Sequence, residues 1–170
     1  MINARSETVL EKPSFRSAAL KRRGIVPADG YYEWRKNDDG SKTPIYLHGP
    51  DGAHLGFAGL YEVWRDPATT SKEHPRGAWL VSYTIITRPA SDVLGEIHDR
   101  TPVIVPPDLL ADWLDPRNDS RPAVQELLNA IPDPHLVPRL VGNAVGSVRN
   151  NGPHLIAPLA ELDGTSEGNP

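Results

Sequence analysis

The chain has 170 residues, 38% hydrophobic and 24% charged, with no cysteine and a net charge of −4. That length suits one domain with a sizeable core, and the lack of cysteine excludes disulfides, thiolate metal sites and cysteine nucleophiles within these residues. No apolar run nears the roughly 20 residues of a membrane span, no signal-peptide pattern opens the chain, and no two histidines stand at the i, i+4 spacing of a helical metal site.

In chain order, Pro13 precedes a predicted helix over 14–23, with Phe15, Ala18 and Ala19 on one face. Gly24 ends it, 25–27 is extended, and 28–30 is a turn. Residues 31–35 read as a strand whose alternation puts Tyr31, Glu33 and Arg35 on one face and Tyr32 and Trp34 on the other. A hairpin turn at 37–40, a return strand over 44–48, a turn at 50–52 and a third strand over 55–64 make a meander. Residues 66–77 form a surface loop, and 79–87 is the strongest strand signal in the chain. Pro89 opens a short helix to about Gly95, the polar run 97–102 follows, and 103–105 is a second apolar strand. Helices are predicted over 108–114 and 122–131, with Leu109, Leu110 and Trp113 on one side of the first and Val124, Leu127, Leu128 and Ile131 inward on the second. A last strand falls within 135–141, and residues 159–170 read as a flexible tail.

Charge is uneven along this order. Residues 1–36 hold eight basic against four acidic residues, and the remainder ten against eighteen. Such asymmetry suits a surface that meets phosphates, and equally a solvated basic helix.

Four residues stand out chemically. His98 lies in a polar run between apolar segments, where it is either an acid–base group or part of a locally paired turn. Glu33 sits between Tyr32 and Trp34, so it is either a carboxylate with a raised pKa or an edge-strand residue facing water. Asn3 and Arg5 share a face if extended; Arg presents a planar fork suited to phosphate and Asn an amide that both donates and accepts. A disordered terminus is the alternative there.

Several motifs occur together and in order: Ile2-Asn3-Ala4-Arg5-Ser6-Glu7-Thr8, Pro27-Ala28-Asp29-Gly30-Tyr31-Tyr32-Glu33-Trp34, Phe57-Ala58-Gly59-Leu60-Tyr61-Glu62, Thr84-Ile85-Ile86-Thr87, Ile97-His98-Asp99-Arg100-Thr101-Pro102-Val103-Ile104 and Val145-Gly146-Ser147-Val148-Arg149-Asn150-Asn151. The combination resembles the SRAP family, the SOS response-associated peptidases, up to about Pro158.

The resemblance implies an α+β fold: one domain over 1–158 with a mostly antiparallel, barrel-like sheet and peripheral helices. It implies a DNA-damage protein that binds single-stranded DNA at abasic sites, without cofactor, metal or membrane partner, as a cytoplasmic (in bacteria nucleoid-associated) monomer. Members capture the ring-opened aldehyde as a thiazolidine on an N-terminal cysteine and are proposed to remove their own N-terminal segment. By matching motifs, Asn3, Glu33 and His98 are implied as catalytic residues, and Arg5, Trp34, Thr87, Arg100 and Arg149 as DNA contacts. The family pattern begins Met-Cys-Gly-Arg well before the Asn-Ala-Arg motif, whereas this sequence begins at that motif. The expectation is therefore a domain short of its first strands, with a sheet edge or core face exposed, and not competent to crosslink as it stands. The alternative is a non-catalytic single-stranded DNA-binding remnant of the same domain.

Overall fold

The uncharged run 79–87 forms most of a twelve-residue strand that organises one of two sheets. The computed structural model describes residues 3–159, except for the side chains of Asp92 and Val93. Apart from Leu159, the expected tail lies outside the described residues, as do Met1 and Ile2. In chain order the elements are β1 (Asn3–Arg5), α1 (Arg16–Lys21), β2 (Arg23–Ala28), β3 (Gly30–Lys36), β4 (Lys42–His48), β5 (Leu55–Asp66), β6 (Ala78–Pro89), α2 (Asp92–Ile97), β7 (Arg100–Pro102), α3 (Leu110–Leu114), α4 (Arg121–Ala130) and β8 (Val137–Leu140). The class is α+β, as the resemblance implies; the sheets are open, with no closed barrel among the described residues. No described helix is long and apolar enough to cross a membrane. The chain forms two compact units, each assembled from three separated stretches: 1–27, 56–88 and 102–133 in the first, and 28–55, 89–101 and 134–170 in the second.

In the first unit the strands run in the order β1-β6-β5-β2. β5 and β6 pair antiparallel from Gly59 opposite Ile85 to Asp66 opposite Ala78. Short β1 adds in parallel, with Asn3 opposite Ile85 and Arg5 opposite Thr87. Val9, Leu60, Ile86, Val103, Trp113 and Val124 are all but fully buried and form the centre of one core. On the predicted inward face of α4, Val124, Leu128 and Ile131 are buried and Leu127 is half-buried. Ser120 starts that helix, its hydroxyl oxygen accepting from the Ala123 N–H at 3.3 Å. The apolar stretch 103–105 makes a single bridge, Ile104 to Phe57, instead of the expected strand. Pro102 and Pro106 flank it without an N–H to extend a ladder. Its backbone is still satisfied, with Val103 N–H donating to Ile86 O and Val105 N–H to Gly56 O.

Much of the basic run at 21–23 serves this unit's architecture. Arg22 pairs with Glu62 at 2.7 Å. Arg23 is buried, and its guanidinium donates to four carbonyls: Ala19 (3.0 Å), Leu20 (2.9 Å), Trp113 (2.7 Å) and Asp115 (2.8 Å). Helices leave their last carbonyls unpaired, and Arg23 satisfies those at the ends of both α1 and α3. Burial pulls its pKa down, with Asp115 and then Asp119 opposing.

Beyond the core, residues 62–66 and 78–82 pair with each other, and Val63, Trp79, Val81 and Tyr83 are exposed on one face, Tyr83 by 66%. A bare two-stranded ribbon is marginal in water, and a contiguous apolar patch of this kind is an interaction or aggregation surface. A Trp79→Ser/Tyr83→Ser variant should therefore bind less of the dye ANS and sediment less as oligomers, with its far-UV circular dichroism unchanged. Equal dye binding by variant and parent would show that the ribbon is covered in solution.

The second unit holds the sheet β3-β4-β8, antiparallel throughout. The expected meander of three consecutive strands does not form. Pro44, Ile45, Tyr46 and Leu47 are all buried, so β4 is the central strand and takes a neighbour on each side. Its second neighbour is β8, from far along the chain, while β5 belongs to the other sheet. Asp51 and Gly52 adopt positive φ (52° and 74°) and turn the chain after β4. Ile45, Leu47 and Ile97 form this unit's core, with Tyr31, Leu94 and Leu136 packed against it. Pro89 closes β6 instead of opening a helix; α2 begins at Asp92, after Ser91, and extends through Ile97.

Candidate functional site

The site is built on β3. Gly30 starts that strand where a Cβ would lie 2.5 Å from the Leu47 carbonyl oxygen and 2.6 Å from the Tyr46 hydroxyl. The β3–β4 register puts Tyr31 opposite Leu47 and Glu33 opposite Ile45. Gly30→Ala should accordingly destabilise the fold by about 1–3 kcal/mol, read as a lower denaturation midpoint; an unchanged midpoint would show that the strands can spread at no cost.

Alternation carries Glu33 to the face of β3 that also bears Tyr31. That face packs on Ile97 and Leu94 of α2, and His98 is the first residue beyond the helix. Glu33 is half-buried. Desolvation raises its pKa, the charge of His98 and a backbone hydrogen bond at Trp34 oppose the rise, and Asp99 reinforces it. The two residues that the sequence singles out separately are thus electrostatic neighbours.

His98 is 45% exposed and held from its Nδ1 side. Nδ1 accepts from the Arg100 N–H at 3.1 Å, which in the neutral ring leaves the proton on Nε2. The protonated ring can instead donate from Nδ1 to the Arg100 carbonyl or the Asp99 carboxylate, both 3.2 Å away. Either way the turn fixes the ring plane. Tyr31 was not among the predicted site residues. Burial pushes its hydroxyl to about 12, against a hydrogen bond with Thr101 at 3.1 Å and reinforced by Glu33. It therefore serves Glu33 as a neutral neighbour at physiological pH. Its place on the Glu33 face was legible; its Thr101 partner was not.

The other predicted residues fall as follows. Asn3 and Arg5 are exposed on β1, with buried Ala4 between them, so both point away from the core. Thr87 is buried opposite Arg5; its carbonyl accepts from the Ser6 N–H at 2.8 Å and its hydroxyl donates to the Ala4 carbonyl at 3.5 Å. The first unit thus brings Arg5 and Thr87 together. In the second unit Trp34 is 38% exposed opposite Pro44, on the strand face away from Glu33. Arg100 is half-buried beside His98, and Arg149 is exposed after the 3-10 turn Asn143–Gly146. Among the described residues no group of three His, Asp or Glu is placed to hold a metal.

Comparison with known proteins gives this arrangement a context. The family model for SOS response associated peptidase (SRAP) matches residues 1–148. The abasic site processing protein YoqW of Bacillus subtilis is 38% identical over 156 residues, which is 92% of this chain and 66% of that protein. YedK of Escherichia coli, also named an abasic site processing protein, is 30% identical over 160 residues (94% and 68%). HMCES of Xenopus tropicalis, of the same description, is 31% identical over 180 residues (92% and 50%). The chain therefore spans about two thirds of its bacterial relatives and half of the vertebrate one. A crystal structure of a Bacteroides thetaiotaomicron protein superposes with a TM-score of 0.75 at 28% identity (92% of this chain, 65% of that one). A Bordetella bronchiseptica structure does so at 0.65 and 34% identity (82% and 64%). With its motifs in order, a family model covering most of its length and solved relatives of the same fold, the chain belongs to the SRAP family.

Proposed function

We propose that this SRAP module, residues 1–158 with a tail beyond, is a DNA-damage response protein that binds single-stranded DNA at abasic sites as a monomer, in the cytoplasm and at the nucleoid in a bacterium. The observation that carries the reading is the Glu33–His98 pair: a desolvated carboxyl with a raised pKa beside an imidazole held at an open turn. Such a pair suits proton transfer at a neutral substrate. An abasic deoxyribose is mostly a closed hemiacetal, and its chemistry starts from the open aldehyde. His98 gives a proton to the ring oxygen as the bond from the anomeric carbon to that oxygen breaks. Glu33 takes the proton of the anomeric hydroxyl as its carbon becomes the aldehyde. Solvent then restores both groups. By their matching motifs Asn3 takes a catalytic role, Arg5, Arg100 and Arg149 meet phosphates, Thr87 supports the Arg5 strand, and Trp34 offers an exposed ring for base stacking.

Fluorescence anisotropy with two single-stranded oligonucleotides, alike except for one abasic residue, tests the reading. Tighter binding of the abasic strand is expected. Equal affinity for both would leave a single-stranded DNA-binding module without abasic chemistry, and no binding at low salt would remove the DNA assignment altogether.

A further inference from the structure

Several arginines of the first unit are paired within it: Arg22 with Glu62, Arg23 with four carbonyls, Arg117 with Asp115 at 2.6 Å, and Arg88 with Asp133 and the Ile131 carbonyl. A groove between α1 and α4 departs from this pattern. It encloses about 370 Å³ and is lined by Leu10, Arg16, Ser17, Leu20, Lys21 and Arg121. Three cationic residues line it, and among the described residues the one acid paired with any of them is Glu11, 3.2 Å from Arg121. Among the described residues neither Arg16 nor Lys21 has an ion-pair partner. Lys21 stands in the last turn of α1, where a cation suits the helix dipole; Arg16 opens the helix, the end at which a cation is disfavoured. Helix stability therefore does not account for Arg16. A groove with one sign of charge and apolar walls concentrates an oppositely charged ligand.

The groove adjoins the strand that bears Arg5. Leu10 lies five positions after Arg5, so the two are at most about 17 Å apart, roughly five phosphate steps of a stacked strand. We propose that this groove is a second phosphate site, gripping the phosphodiester backbone of the strand that Arg5 also meets. Leu10 and Leu20 would lie against the sugar edge, and Glu11 would moderate the grip of Arg121. The proposal rests on the abasic-DNA reading above for its ligand, while the groove itself rests on its unpaired cations.

The test is anisotropy titration across a range of salt, comparing the parent chain with Arg16→Gln/Lys21→Gln, two exposed positions whose loss should leave the thermal melt unchanged. On a single strand of about twenty nucleotides, removing two phosphate contacts should reduce the slope of log affinity against log salt by about 1.4; on a duplex flank the drop should be about 1.8. Glu11→Gln should tighten binding of the long strand by freeing Arg121. A drop on either long substrate supports the groove and says whether it meets single-stranded or duplex DNA; unchanged slopes on both overturn it. The two proposals fail separately: loss of slope without any preference for abasic DNA removes the abasic reading and keeps the groove.

Discussion

Replacing His98 with alanine, or Glu33 with glutamine, should remove the proposed acceleration of abasic-sugar ring opening, a loss of roughly 10²- to 10⁴-fold, the ordinary contribution of one positioned acid or base. The measurement is direct. A hydroxylamine reagent in excess traps the aldehyde of a single-stranded abasic oligonucleotide as fast as it forms, and the protein-dependent rate is read from the oxime product. Parent protein should speed trapping; either variant should bring it near the uncatalysed rate while binding the strand with similar affinity. Trapping that is equally fast in parent and both variants would show that the pair does no proton transfer. Because burial raises the pKa of Glu33, the alkaline rise in rate that reports its ionisation should lie above the ordinary carboxylate range. The same shift has a consequence for stability. With its native pKa above the unfolded one, the folded state holds more protons between the two, so stability falls as pH rises through that window and stays lower above it. Glu33→Gln should therefore melt higher than the parent at neutral pH and close to it well below the carboxylate range. A lower melting temperature for Glu33→Gln at neutral pH would mean that the carboxylate is a structural ion-pair partner instead.

The second large effect is on folding. Arg23→Ala should destabilise the chain by about 3–5 kcal/mol, since it strands four carbonyls that a buried cation now satisfies. For a chain of this size that lowers the melting temperature by roughly 6–20 °C. Arg23→Lys should recover only part, because a single ammonium cannot span carbonyls from the ends of two helices. Arg22→Ala serves as the control: its pair with Glu62 is partly solvated, and such pairs contribute about 1 kcal/mol or less. Equal melting temperatures for the Arg23→Ala and Arg22→Ala variants would refute the clamp.

The two residues behave so differently although they are neighbours in one basic run, and this marks the limit of what charge patterning conveys. From sequence, Lys21, Arg22 and Arg23 form one cationic stretch that could face phosphates. In the structure one joins the open groove, one pairs on the surface and one is buried. Periodicity did better for faces than for partners. Strand alternation correctly placed Tyr31 and Glu33 together, and the helical repeat picked out Val124, Leu128 and Ile131 as inward. It could not say that β4 would pair with β8 instead of β5, nor that 103–105 would make one bridge and no strand.

What the sequence alone determined, then, was the family, through motifs in order, and the identity and strand face of Glu33, because side-chain direction along a strand is a local geometric property. The tertiary structure decided the rest. It set which strands are neighbours, that His98 ends the helix packed on the Glu33 face, that Thr87 lies opposite Arg5, and that Trp79 and Tyr83 stand in solvent. Each of these depends on residues tens of positions apart competing for the same buried surface and hydrogen bonds. A local pattern constrains that competition but does not choose its outcome.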